Sequence, residues 1–195
     1  MRRICVFTGS NTGNRPEYKE AAQALGKEMA ARGLGLVYGG ASVGLMGIVA
    51  DAVLAGGGEA LGVIPRGLFR REIGHKGLTQ LYEVESMHER KALMADLADG
   101  FIALPGGYGT FDELFEIITW GQLGLHSKPI GLLDVVGYFA PLLAFIAHAS
   151  KEGFIRPEHT GIAIHEQSAA VLLDRLAHHR PDITENIWSE LPPER

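Results

Sequence analysis

The chain has 195 residues, of which 46% are hydrophobic and 21% charged, enough for one substantial core and ordinary for a globular protein. A formal net charge of −5 excludes a broad electrostatic attraction to nucleic acid or to an anionic membrane surface. The single cysteine, Cys5, excludes an intrachain disulfide and fits a reducing, cytoplasmic setting.

The basic start Met1-Arg2-Arg3 leads into an apolar run that Thr8-Gly9-Ser10-Asn11 ends too early for a signal peptide. Ile4–Thr8 reads as a buried strand, and Gly9–Arg15 as a loop leading to Pro16 at a helix start. Tyr18, Ala22, Leu25 and Met29 recur at helical spacing until Gly33. Leu36-Val37-Tyr38 is the next strand, followed by the small-residue loop 39–47 and a helix to about Ala55. Glu59–Ile64 is the third strand, with Pro65 expected to end it. Arg66–Gln80 is polar, basic and irregular, the composition of an active-site loop or short lid.

Leu81–Val84 follows as a fourth strand, Met87–Leu97 as a helix and Phe101–Leu104 as a fifth strand. A helix over Thr110–Leu123 is expected to bury Phe111, Leu114, Phe115 and Ile118. Ile130–Leu133 is a strand and Tyr138–Glu152 a helix with Pro141 in its first turn. The apolar stretch from Val135 to Ala147 falls short of the roughly 20 residues that cross a bilayer. A strand at Ile162–Ile164 and a helix at Ser168–His178 complete the pattern. The alternation predicts an α/β fold, a Rossmann-like doubly wound open sheet, mostly parallel, with helices on both faces. One nucleotide-binding domain over residues 1–180 and a C-terminal tail over 181–195 account for the chain.

In such folds ligands bind at the carboxyl ends of the strands, where the glycine loops 9–13, 39–47 and 105–109 all fall. None of them carries G-x-G-x-x-G or G-x-x-x-x-G-K-[ST], which disfavours a dinucleotide or a nucleoside triphosphate and leaves a mononucleotide. Glycine turns are also common connectors, so the number of loops at one edge carries the inference. In Leu104-Pro105-Gly106-Gly107-Tyr108-Gly109-Thr110-Phe111-Asp112-Glu113 the backbone can approach a ligand closely before a helix start that favours an anion.

Glu113 admits two readings. Thr110-x-x-Glu113 has the spacing of a capping box, whereas Asp112, Glu113 and Glu116 together exceed what capping needs and could look into the pocket. Met87-His88-Glu89-Arg90-Lys91 is either a solvated charge run or a pair of cations placed to hold a ribose phosphate or a leaving base. The eight histidines show no metal-site spacing, and Ser10 and Ser42 lack a nucleophile elbow.

Pro105-Gly106-Gly107-Tyr108-Gly109-Thr110-Phe111-Asp112-Glu113, preceded by Met87-His88-Glu89-Arg90-Lys91, strongly resembles the Lonely Guy (LOG) family of cytokinin riboside 5′-monophosphate phosphoribohydrolases and its P-G-G-x-G-T-x-x-E signature. The likeness extends over Tyr38-Gly39-Gly40, Gly44-Leu45-Met46-Gly47, Ile118-Thr119-Trp120-Gly121-Gln122-Leu123-Gly124, Lys128-Pro129-Ile130-Gly131-Leu132-Leu133 and Glu152-Gly153-Phe154-Ile155.

The resemblance implies hydrolysis of the N-glycosidic bond of a nucleoside 5′-monophosphate, with Arg90 and Glu113 as the catalytic pair. It places substrate contacts at Glu72, Met87, Arg90 and Lys91, at Gly106, Gly107, Tyr108, Gly109, Thr110, Phe111, Asp112 and Glu113, and at Thr119. Asp112 stands where many members have glutamate. It further implies a homodimer or higher oligomer with no metal and no cofactor, and nothing in the chain marks a pyridoxal-phosphate site. The competing functions are a nucleotide-binding or sensing module without turnover, which would not need the carboxylate, and a nicotinamide oxidoreductase.

Overall fold

In the computed structural model, residues 1–66 and 74–179 are described; Glu72 and the tail from 180 onward lie outside them. Seven strands form one sheet: β1 (Arg3–Phe7), β2 (Gly35–Tyr38), β3 (Ala60–Pro65), β4 (Gln80–Val84), β5 (Gly100–Ala103), β6 (Ile130–Leu133) and β7 (Ala163–Glu166). Their order is β4-β3-β2-β1-β5-β6-β7 and every pairing is parallel. The α/β, doubly wound expectation therefore holds. β2, β3, β5 and β6 are buried on both faces, which is why they read as unbroken apolar runs, while the edge strands β4 and β7 are half-exposed.

The described helices are α1 (Pro16–Ala31), α2 (Gly44–Ala55), α3 (Met87–Leu97), α4 (Tyr108–Gln122), α5 (Ala140–Lys151) and α6 (Ala169–His178). Leu25 and Met29 of α1, Val49 and Val53 of α2, and Leu172 and Leu176 of α6 form the core on one side of the sheet. Met94 of α3, Leu114 and Ile117 of α4, and Phe101, Leu132 and Phe139 form the core on the other. Strand order reverses between β1 and β5, so the loops leaving these two strands flank the crevice where such sheets take ligands.

Several boundaries differ from the sequence reading, each for a local reason. Thr8 lies beyond β1, its hydroxyl donating to the Pro105 carbonyl at 3.2 Å. Pro65 sits inside β3, paired in register with Val84, where a parallel ladder tolerates a residue without an N–H at its end. α4 begins at Tyr108, with Gly107 as its N-cap, so Thr110 is a helical residue and Thr110-x-x-Glu113 is not a capping box. The buried side chains of α4 are Thr110, Glu113, Leu114 and Ile117, whereas Phe115 is 40% exposed rather than core. α5 starts only at Ala140, because a short 3-10 turn over Val135–Gly137 precedes it. Among the described residues no helix is long and apolar enough to cross a membrane.

Candidate active site

The three glycine loops meet at the carboxyl edge of the sheet. The Gly9 N–H donates to the Pro105 carbonyl at 3.1 Å, and the Leu45 N–H to the Gly9 carbonyl at 3.0 Å, tying the β1, β2 and β5 loops together. A cleft of about 290 Å³ opens between the β1 loop (Gly9 to Gly13), Gly106 and Gly107, and the rings of Tyr18 and Tyr138. The Phe111 N–H makes the first helical bond of α4, to the Gly107 carbonyl at 3.0 Å. The N–H groups ahead of it have no intrahelical acceptor, and Gly107, Tyr108 and Gly109 are exposed there. Such a terminus favours an anion.

α3 delivers the cationic half of the site. Its N-cap is Ser86, whose hydroxyl accepts from the Glu89 N–H at 3.1 Å, while the Glu89 carboxylate accepts from the Glu85 N–H at 2.8 Å. Arg90, in the first turns of this capped helix, is only 9% exposed. Its Nε donates to the carbonyl of Val63, within β3, 3.1 Å away. Its Nη1 lies 3.5 Å from Glu113 Oε1 and 3.9 Å from the Met87 sulfur. The guanidinium runs so close over β2's end that a methyl group on Gly39 would overlap it. Gly39 is thus a steric requirement of Arg90's position.

Glu113 is 8% exposed. Burial raises its carboxyl to about pKa 7; Arg90 opposes the shift, the neighbouring Asp112 reinforces it, Lys91 opposes and Glu116 reinforces. The result is a carboxyl that exchanges its proton near neutrality and sits against a fixed guanidinium, the property required of a general acid or base. Lys91 bridges the remaining carboxylates, 2.9 Å from Glu116 and 3.2 Å from Asp112. Burial works against its charge, but the two carboxylates together raise its pKa.

The expected site residues thus fall into groups. Met87, Arg90, Lys91, Asp112 and Glu113 are brought together, while Gly106 and Gly107 line the cleft and Tyr108 and Gly109 open α4. Thr110 is buried beneath that loop, so close that a side chain on Gly106 would overlap its hydroxyl. Phe111 is half-buried in a shallow surface with Tyr108 and Asp112. Thr119 stands apart, its hydroxyl donating to the Phe115 carbonyl at 2.7 Å. It lines an apolar groove between α4 and α5 with Phe115, Ile118, Leu142 and Ile146. Sequence reasoning missed Gly39 and the Val63 carbonyl as the supports of Arg90, and Glu116 as a partner of Lys91; Gly39 left a signal as one glycine of its loop and Glu116 as one of three crowded carboxylates, the carbonyl none. Among the described residues, no group of three or more His, Cys, Asp or Glu side chains is placed to hold a metal ion.

Residues 46–176 match a family model described as possible lysine decarboxylase. A cytokinin riboside 5′-monophosphate phosphoribohydrolase of Arabidopsis thaliana is 50% identical over 195 residues, covering 98% of this chain and 90% of the relative. Its counterpart from Oryza sativa subsp. japonica is 49% identical over 194 residues, covering 99% and 80%. Among solved structures, the molybdenum cofactor carrier protein of Chlamydomonas reinhardtii superposes with a TM-score of 0.69 at 20% identity, covering 91% of this chain and 99% of that one. DNA processing protein A from Helicobacter pylori gives a TM-score of 0.59 at 16% identity, covering 92% and 81%. At those identities the two structures share the fold alone. With half of its residues identical to such relatives along nearly its whole length, the chain belongs to the Lonely Guy (LOG) family.

Proposed function

We propose that this protein hydrolyses the N-glycosidic bond of cytokinin riboside 5′-monophosphates, of AMP, or of both, releasing the free base and ribose 5-phosphate. The observation that carries the reading is the buried Arg90–Glu113 pair beside the glycine loop and the open start of α4. In this reading the loop and helix N–H groups hold the 5′-phosphate, and its binding energy places the ribose against the pair. As the C1′–N bond breaks, its electrons leave with the base and positive charge grows on the sugar. Glu113 as carboxylate stabilises that charge and takes a proton from the water that attacks C1′. That proton then passes to the departed base. Arg90 orients the ribose and fixes the carboxylate.

The decarboxylase description fits the residues poorly. A Schiff-base lysine has to be easily deprotonated, whereas Lys91, the lysine beside the pair, is held protonated by Glu116 and Asp112.

The same reading includes a homodimer. α5 buries none of its residues, and Phe145 and Phe154 are 65% and 88% exposed near the groove that also holds Thr119. An uncovered apolar face of this kind supports self-association. The test of the activity is chromatographic release of base from isopentenyladenosine 5′-monophosphate, AMP and the unphosphorylated riboside. Release from the monophosphates alone is expected. AMP binding with no release would instead favour a nucleotide-sensing module.

A further inference from the structure

The loop that would hold the phosphate is set by bonds to its carbonyl groups. The Pro105 carbonyl accepts from the Gly9 N–H at 3.1 Å and from the Thr8 hydroxyl at 3.2 Å. The Gly106 carbonyl accepts from the Tyr138 hydroxyl at 2.5 Å. The Gly107 carbonyl accepts from the Phe111 N–H at 3.0 Å. In a trans peptide the N–H points opposite to the C=O, so these bonds also aim the N–H groups of Gly106, Gly107 and Tyr108. The first and third of these peptides are held by the loop's immediate structural neighbours. The middle one lies between two glycines, where rotation meets the least steric resistance, and its carbonyl is held by a side chain 32 residues away.

The segment that supplies this hydroxyl is built to deliver it. Val136, between β6 and α5, is the one described non-glycine residue with a positive φ, at 47°, an uncommon and strained state for a β-branched side chain. Ahead of it, the buried Asp134 donates its N–H to the Glu166 carbonyl at 2.8 Å, and its Oδ1 accepts from the Phe139 N–H at 2.6 Å. Phe139 is fully buried, and the Tyr138 ring packs edge-on against both Phe139 and Tyr18, with centroids 5.1 and 5.9 Å away. A strained backbone held at both ends thus presents one phenol to one carbonyl.

We propose that Tyr138 is a positioning residue for the phosphate-binding loop: by holding the Gly106 carbonyl it aims the Gly107 N–H at the 5′-phosphate of the substrate. The inference rests on the nucleotide-hydrolase reading and concerns the phosphate end of that site. Its test is Tyr138→Phe, which keeps the ring contacts and removes only the hydroxyl. Binding of ribose 5-phosphate is measured by calorimetry, and KM and kcat for AMP by base release. One neutral hydrogen bond acting through the loop predicts about a five-fold loss of ribose 5-phosphate affinity and a matching rise in KM, with kcat within about two-fold.

A merely structural hydroxyl would lower the melting temperature and leave ribose 5-phosphate affinity unchanged, and that result overturns the proposal. A fall in kcat at constant KM overturns it as well. If the native protein releases no base but Tyr138→Phe still weakens ribose 5-phosphate binding, the hydrolase reading fails and the positioning role stands. If the native protein does not bind ribose 5-phosphate, both fall.

Discussion

Helices α4 and α5 follow neighbouring strands and are both rich in apolar residues, yet they spend them in opposite ways. α4 buries Leu114 and Ile117 together with the ionisable Glu113. α5 has no fully buried residue: Leu142 and Leu143 pack half-buried against the core, and Phe145 is left largely exposed. A carboxyl taken out of water on one helix and phenylalanine left in water on the next each work against stability of the isolated chain. On the proposed reading the first is accounted for by chemistry at Arg90, the second by a second copy of the chain. Both assignments can be broken experimentally.

Apart from turnover by the Glu113 variant itself, the largest expected effect is on stability. Folded Glu113 keeps its proton to about pH 7, whereas the unfolded carboxyl loses it near 4.5, so the native state binds more protons between these values and stability falls as pH rises through that window. Glu113→Gln removes this penalty and should stabilise the protein at pH 8 by about 3 kcal/mol, with a flatter dependence from pH 5 to 7 in urea titrations. An unchanged slope would mean that the carboxyl is not held protonated by burial.

Arg90→Met removes the cation facing Glu113 and should lower kcat for base release by about a hundred-fold while raising the pH at which the rate reaches half its maximum. Gly39→Ala tests the same pair indirectly. Its methyl displaces the guanidinium rather than backbone, so a loss of about ten-fold in kcat with near-native melting temperature is expected. On the α5 side, Phe145→Ser should weaken self-association by about ten-fold in sedimentation velocity and leave the melting temperature of the monomer nearly unchanged. A monomer destabilised as by a core truncation would assign Phe145 to the core instead. The smallest effect is expected from Lys91→Met, about a three-fold rise in KM, because two carboxylates already engage that ammonium.

The contrast between the two helices also explains what the sequence could disclose. Central strands such as Phe101–Leu104 were legible because burial on both faces leaves an unbroken apolar run. The register of α4 was not. Tyr108 and Gly109 are weak helix formers that nonetheless open the helix, and Glu113 occupies a buried position that periodicity assigns to an apolar residue. Hydrophobic spacing places Phe115 in the core because it does not distinguish an internal face from an exposed apolar one. The roles proposed for Arg90 and Glu113 rest on the resemblance, since spacing alone leaves the capping box at about even and favours a solvated charge run at 87–91. Gly39 and Tyr138 act through contacts far apart in sequence, which no local pattern encodes.

The most direct test of the central claim is base release from AMP well below KM, read as kcat/KM between pH 5 and 9, by the native protein and by Glu113→Gln. A native kcat/KM that rises with a midpoint near 7, and a variant slower by about a thousand-fold above pH 8 with the gap narrowing toward pH 5, is the expected result. A variant within ten-fold of native at pH 8, or a native rate that stays flat from pH 5 to 8, would contradict a buried carboxylate as the reacting group.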